Sequence, residues 1–190
     1  MERLILPFAS AELWAAWLAV HHTDTPDGLW LKIAKKSTGI ATVTHAEALD
    51  EALCHGWIDG QRDSFDEVWF LQRFTPRRPR SRWSQINTEN VQSLIAQGRM
   101  QPAGLREIEA AKADGRWARA YEGQARIQVP EDLQAAFDEH PGAAEFFATL
   151  NSQNRYAVLY RIQDAKRPQT RADRITKFAA MLARGEKLHP

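Results

Sequence analysis

The feature that most restricts the fold is a change in hydrophobic spacing partway along the 190-residue chain. The first half contains short runs of β-branched and aromatic residues bounded by turn residues, at 29–33, 57–62 and 68–74, which predict strands. After about residue 85 the apolar residues recur only at helical spacing. We therefore predict an α+β fold, with a small, mostly antiparallel sheet and helices in the N-terminal half and a helical C-terminal half.

Two helices are predicted among these strands. The first has Ser10 as its N-cap and runs to about Val20. The second begins with a capping box, in which the Thr44 and Glu47 side chains each bind the other residue's backbone N–H, and it ends before Gly56. The strands at 57–62 and 68–74 are joined by a short polar turn, so we expect them to pair as an antiparallel hairpin.

The second half is predicted to hold four short helices between residues 91 and 150, a longer helix at about 152–165 and a last one from residue 170 to residue 184. Residues 123–130 are the best linker candidate. The predicted domains are an α+β domain over 1–122 and a helical subdomain over 131–190 packed on it. One continuous domain is the alternative.

Composition excludes several classes of protein. The single cysteine, Cys54, forbids an intramolecular disulfide, and the six His show no spacing typical of a metal site, so no metal and no cofactor are predicted. No P-loop, dinucleotide-binding glycine pattern or hydrolase motif occurs. Residues 1–7 are too short an apolar stretch for a secretion signal, and no segment has the roughly 20 apolar residues that cross a bilayer. We expect a soluble, cytoplasmic protein without membrane insertion, and the sequence leaves its oligomeric state open.

Charge is unevenly distributed although the net charge is only +1. Residues 1–72 contain five Lys or Arg and eleven Asp or Glu, whereas residues 73–190 contain twenty and thirteen. Two solvated faces of opposite sign are the ordinary interpretation. The alternative is that the basic part attracts an anionic partner.

A dense group of reactive side chains lies at a predicted helix-to-strand turn, where Cys54, His55, Trp57 and Asp59 occur within six residues. Such turns often expose functional groups. However, adjacent helical residues project about 100° apart, so His55 is poorly placed to deprotonate Cys54. A small buried hydrophobe is the ordinary role of such a cysteine, and favourable interaction with the helix dipole is the ordinary role of His55. We therefore assign no catalytic residue.

The strongest anion-binding candidate is a run of five Arg without an acid in residues 73–84. Guanidinium groups form two-point contacts with carboxylate and phosphate oxygens. We expect one of these arginines to pair with Asp59, and we expect substitution of Arg77 and Arg78 together to abolish ligand binding with folding nearly intact. Alternatively, the arginines pair with the acidic N-terminal half and brace the fold.

We interpret the seven Trp first as core residues, with Trp57 and Trp83 as the candidates for exceptions. We combine these features into one predicted ligand site. The site comprises the turn, two lysines that follow the strand at 29–33, and the arginine-rich run. Its residues are Lys35, Lys36, Cys54, His55, Trp57, Asp59, Arg73, Arg77, Arg78, Ser81, Trp83 and Ser84.

Several ordered motifs resemble a known family. Three segments are similar to the signature of the YdeI/OmpD-associated, or bacteriocin-protection, proteins. They are Leu-Trp-Leu at 29–31 with Lys-Lys at 35–36, Glu-Ala-Leu-Cys-His-Gly-Trp-Ile-Asp-Gly at 51–60, and a motif at 74–87 that begins Phe-Thr-Pro-Arg-Arg-Pro and continues with Ser81, Trp83, Ser84 and Asn87. The segments at 98–104, 114–117 and 165–171 match too, so the resemblance spans nearly the whole chain. It implies a bacterial cytosolic protein linked to envelope stress or antimicrobial-peptide tolerance. It supplies no reaction, cofactor or catalytic set, and His55 departs from the aromatic residue that the family often has there.

Three functions fit these observations. The favoured one is a non-catalytic protein that binds an anionic small molecule or the anionic group of a protein partner. The second is an enzyme that uses Cys54 or Asp59 on an anionic substrate. The third is a nucleic-acid binder through the basic second half, which the near-neutral overall charge disfavours.

Overall fold

The structure is a computed structural model that describes residues 3–190. The chain folds as two compact units, Met1–Ala120 and Tyr121–Pro190. The described residues form eight α-helices and one four-stranded mixed sheet, which confirms the predicted α+β class. Among residues 3–190, every helix is too short or too polar to span a bilayer.

The sheet belongs to the first unit, and its strand order is β1-β2-β4-β3. Strand β4 pairs antiparallel with both β2 and β3, which confirms the predicted hairpin. Strand β1 runs parallel to β2 and was not predicted, because three residues ending in proline give no alternating pattern. The bounds are β1 (Ile5–Pro7), β2 (Leu29–Ala34), β3 (Trp57–Ser64) and β4 (Trp69–Pro76).

Four helices complete the first unit: α1 (Ala11–His21), α2 (His45–Cys54), α3 (Gln85–Ala96) and α4 (Pro102–Ala113). Both predicted N-caps are confirmed, since Leu13 N donates to Ser10 Oγ and the capping box of Thr44 and Glu47 is complete. A one-turn 3₁₀ helix, Lys36–Thr38, follows β2.

The first unit has two buried clusters that position the candidate site. One cluster joins α1 and α2 to one face of the sheet through Trp14, Leu31, Trp57 and Phe74. The other joins the end of α2 to α3 and α4, and it contains Cys54, Trp83, Val91 and Ile108. Burial of this much aromatic surface supplies the main stabilising free energy of the unit.

The second unit consists of α5 (Glu131–Asp138), α6 (Ala143–Thr149), α7 (Ser152–Gln163) and α8 (Pro168–Ala183) around its own apolar cluster. The helices predicted here are confirmed. The segment 123–130 is part of this unit and not a free linker, because Ile127 and Val129 pack against the cluster. Arg171 joins α8 to α5 with two hydrogen bonds to the Asp132 carboxylate, at 2.6 and 2.9 Å.

The turn before β2 depends on Gly28, which gives a testable prediction. Gly28 and Gly39 have nearly the same positive φ, +69° and +67°. An alanine Cβ at position 28 would lie 2.1 Å from Phe74 O, whereas an alanine Cβ at position 39 would have no atom within 4 Å. We expect Gly39→Ala to lower the free energy of unfolding by about 1–2 kcal/mol for the left-handed backbone. Gly28→Ala should cost about 1–3 kcal/mol more, because β4 must move.

Denaturant unfolding of the two variants measures this difference, with Gly39→Ala as the matched control. Equal decreases in the free energy of unfolding would show that the turn can move away from β4 without loss of stability.

Candidate functional site

The predicted site residues lie at two opposite ends of the sheet. At one end, Lys35 N donates to Val68 O, just before the start of β4. At the other end, Trp57 pairs with Pro76, the last residue of β4. The eight residues of β4 separate these points by about 26 Å at roughly 3.3 Å per residue. The Lys35 ammonium donates instead to Asp66 O at 2.8 Å, and Lys36 is exposed nearby. The structure therefore does not bring the two lysines to the other predicted residues.

Cys54 is buried in the cluster formed with α3 and α4. Burial, with a further contribution from the negative charge of Glu51, raises the pKa of the thiol to about 11. A protonated thiol in an apolar cluster is a poor nucleophile. This environment matches the ordinary role of a small buried hydrophobe and disfavours an enzyme that uses Cys54.

His55 is the C-cap of α2 and is nearly buried, with 7% of its surface exposed. Its Nδ1 lies 2.9 Å from Glu51 O, and because a carbonyl only accepts, Nδ1 carries the proton. Burial lowers the pKa of His55, so the ring is neutral at neutral pH. The described residues contain no group of three or more His, Cys, Asp or Glu placed to hold a metal ion.

Trp57 and Asp59 occupy places that the sequence did not predict. Trp57 is 1% exposed, and its Nε1 donates to His22 O at 3.1 Å, so core packing is confirmed for Trp57 and its choice as an exception was wrong. Asp59 is paired with His45 Nε2 at 3.0 Å and not with an arginine. The start of α2 places His45 beside β3, a long-range neighbour that sequence spacing does not reveal.

The arginine loop, residues 77–84, is held from inside by Arg77 and Trp83. Arg77 is buried, and its guanidinium carbon lies 3.5 Å from the centre of the Trp83 ring. Its Nη1 donates to Arg82 O, and its backbone N donates to Gly56 O. Trp83 is also buried and packs against Trp117, so it is a core residue and not an exception. The burial of Arg77 disfavours the predicted contact between Arg77 and a ligand.

Both serines of the predicted site have structural roles in the arginine loop. Ser81 Oγ accepts from Arg78 N at 2.8 Å, and Ser81 N donates back to Arg78 O at 2.8 Å, which closes a tight turn. Arg116 Nη1 donates to Ser81 O at 2.9 Å. Ser84 Oγ accepts from Asn87 N and caps α3. The loop is therefore fixed by hydrogen bonds along most of its length.

Three arginines of this loop, Arg78, Arg80 and Arg82, are exposed. The side chains of Arg78 and Arg80 are exposed and form no hydrogen bond or ion pair within residues 3–190. They belong to a basic stretch of sequence, since residues 73–120 contain ten Lys or Arg and four Asp or Glu. Of the arginines predicted for the site, Arg78 is thus the one best placed to meet an external anion, and the exposed neighbour Arg80 was missed.

The remaining predicted arginine, Arg73, lies in a cleft that the sequence analysis missed. The cleft has a volume of about 570 Å³ and is lined by Arg3, residues 24–28, the start of β2, Gln61 and Arg73. An isolated glycine within a strand often marks a β-bulge, so Gly60 was the signal that could have indicated a distorted strand here.

The burial of Cys54 predicts its reactivity. We expect an aromatic disulfide reagent at neutral pH to leave Cys54 unmodified in the folded protein and to modify it completely in denaturant, because the thiol is buried and protonated. A Cys54→Ala, Arg80→Cys variant is the matched control, since position 80 is exposed and should react at once. Fast modification of the native wild type would restore the thiol enzyme hypothesis.

Two family models match different parts of the chain. Residues 6–107 match the model described as Domain of unknown function (DUF8412). Residues 126–185 match the model described as Bacteriocin-protection, YdeI or OmpD-Associated. No curated protein and no solved structure matches the chain.

The predicted resemblance is confirmed for the second of these segments, which contains the motif at 165–171. The motifs at 29–36, 51–60, 74–87 and 98–104 lie instead in the part that the first model matches. Because that model covers more than half of the residues, the chain belongs to the family described as Domain of unknown function (DUF8412), and its second unit carries a segment matched by the YdeI/OmpD-associated, bacteriocin-protection family.

Proposed function

We propose that this protein is a non-catalytic binding protein whose arginine loop takes an anionic group, either of a small molecule or of a protein partner. The observation that supports this proposal is the pair of exposed guanidinium groups of Arg78 and Arg80 on a loop braced by the Arg77–Trp83 stack. Lys35, Lys36 and the buried residues of the turn are not part of the proposed site.

A fixed loop favours binding for an energetic reason. Each side chain that a ligand must immobilise costs about 0.5–1.5 kcal/mol on binding. The turn at Arg78 and Ser81 and the hydrogen bond from Arg116 already hold the backbone, so a ligand needs to order only the two guanidinium groups. Two neighbouring forks suit the several oxygens of a phosphate or carboxylate group.

The match of residues 126–185 suggests a role related to bacteriocin protection. We combine this with the anion site and propose a cytoplasmic protein that contributes to tolerance of antimicrobial peptides by binding an anionic molecule. The buried, protonated Cys54 is the reason why we favour binding over catalysis.

The basic run in the second unit is the competing surface, for nucleic acid. Two of its side chains have structural contacts, since Arg171 binds Asp132 and Arg174 donates to Arg161 O. Lys166 and Arg167 remain exposed. A pair of substitutions there removes the same charge as a pair in the arginine loop and provides a matched control.

The prediction concerns Arg78→Gln combined with Arg80→Gln. A thermal-shift screen of the wild type against nucleotides, sugar phosphates, cell-wall precursors and short nucleic acids should give a ligand, which adds about 2.7 kcal/mol of stability at 100 times its dissociation constant. The double variant should fold normally and lose at least about tenfold in affinity, the effect of one charged hydrogen bond. Lys166→Gln with Arg167→Gln should bind like the wild type.

The opposite pattern, with affinity lost only in the second-unit variant and falling steeply with salt, would move the function to nucleic-acid binding there. A screen without any hit would reject a small-molecule ligand. Arg77 is not substituted in this test because it is buried, and its removal would lower stability and loosen the loop.

A further inference from the structure

The cleft beside Arg73 is separate from the arginine loop and is built by a β-bulge. The register passes from Asp59 opposite Phe74 to Arg62 opposite Gln72, so Gly60 and Gln61 together oppose Arg73. The Gln72 side chain, which is 4% exposed, donates to Gly60 O at 2.9 Å and satisfies the extra carbonyl. Bulges often re-aim a side chain of the bulged strand, and here Gln61 of the bulge lines the same cleft as Arg73.

The wall opposite the bulge is equally fixed. Gly28 packs directly against the backbone of β4, and Gly28 N donates to Thr25 O, which closes the turn at 25–28. Arg73 Nη2 donates to Asp27 O at 3.2 Å. The guanidinium of Arg73 thus lies against the backbone of Asp27, and both residues line the cleft.

Some charged side chains of the cleft have polar or charged partners and others do not. Arg3 lies over the Trp30 ring and pairs with Asp63 at 3.0 Å, and Asp24 bonds to His21 and Thr25. Within residues 3–190, by contrast, the Arg73 guanidinium has no ion pair, and the Asp27 carboxylate has no partner. Among the described residues, the cleft therefore contains one positive and one negative side chain that form no ion pair.

We propose that this cleft binds a small zwitterion of the α-amino-acid class, with its carboxylate on Arg73 and its ammonium on Asp27. A simple anion would meet the Asp27 carboxylate, and a simple cation would meet Arg73, so only a molecule with both charges compensates both groups. Leu4 and Trp30 line the same cleft and offer apolar surface to a side chain. Its volume of about 570 Å³ lies in the range of small-molecule sites.

The test uses the full chain and free amino acids with apolar side chains, each at up to about 10 mM, since a site with two charged contacts is expected to bind in the millimolar range or tighter. The readout is the indole N–H signal of Trp30 in ¹⁵N NMR spectra, identified with Trp30→Phe. We expect a saturable shift. The N-acetyl derivative, which lacks the ammonium, and the amide derivative, which lacks the carboxylate, should each bind about tenfold more weakly.

Two variants assign the two charges. Arg73→Gln should remove the preference for the free amino acid over its amide, and Asp27→Asn should remove the preference over its N-acetyl form. Arg73→Lys keeps the positive charge and should keep the first preference, which guards against loss of folding in Arg73→Gln. Arg78→Gln with Arg80→Gln lies outside the cleft and should change neither preference.

Either of two results would overturn the zwitterion site: no shift of the Trp30 signal with any of these amino acids, or equal binding of the free and blocked forms. Neither result bears on the arginine loop, because the two sites share no residue.

Discussion

The stack of Arg77 on Trp83 is the interaction on which the first unit depends, because it joins three parts of the chain. Arg77 continues β4 and donates its backbone N–H to Gly56, at the turn between α2 and β3. Its side chain covers the Trp83 ring and reaches Arg82 O. Trp83 belongs to the cluster that α3 and α4 bury. A single planar cation thus connects the sheet, the arginine loop and the helices, and it explains why the loop is ordered.

The arginines of residues 73–84 have different roles, although the sequence presents them as one run. Arg77 is buried and stabilises the fold, whereas Arg78 and Arg80 of the same loop are exposed to solvent. Pairing with the acidic N-terminal half was one interpretation of this run and anion binding was the other. The structure shows a different internal role for Arg77, which stacks on Trp83 and donates to Arg82 O. Anion binding by Arg78 and Arg80 stays a prediction. A basic run therefore has to be divided residue by residue, by burial, before it supports a function.

The sequence predicted what short-range patterns determine. The capping box at Thr44 and the hairpin of β3 and β4 depend on neighbours close in the chain, and both were found. The parallel strand β1, the pair of Asp59 with His45, and the distance of Lys35 from the turn depend on strand order, which no local pattern contains. The cleft was missed for the same reason, since the bulge at Gly60 matters only through the residue that β4 places opposite it.

Strand β4 contributes Arg73 to the cleft and leads directly into the arginine loop, yet the two proposed sites share no side chain. Side chains alternate along a strand, so Arg73 lies on the face opposite Phe74, whose ring is buried with α1 and α2. The cleft is therefore built on the face that these helices do not cover, and polar substitutions at Arg73 leave the apolar cluster intact. The arginine loop begins only after β4 ends, where alternation no longer applies and Arg77 can turn inward. One strand can thus support a charged cleft and anchor a loop without either site sharing a side chain with the other.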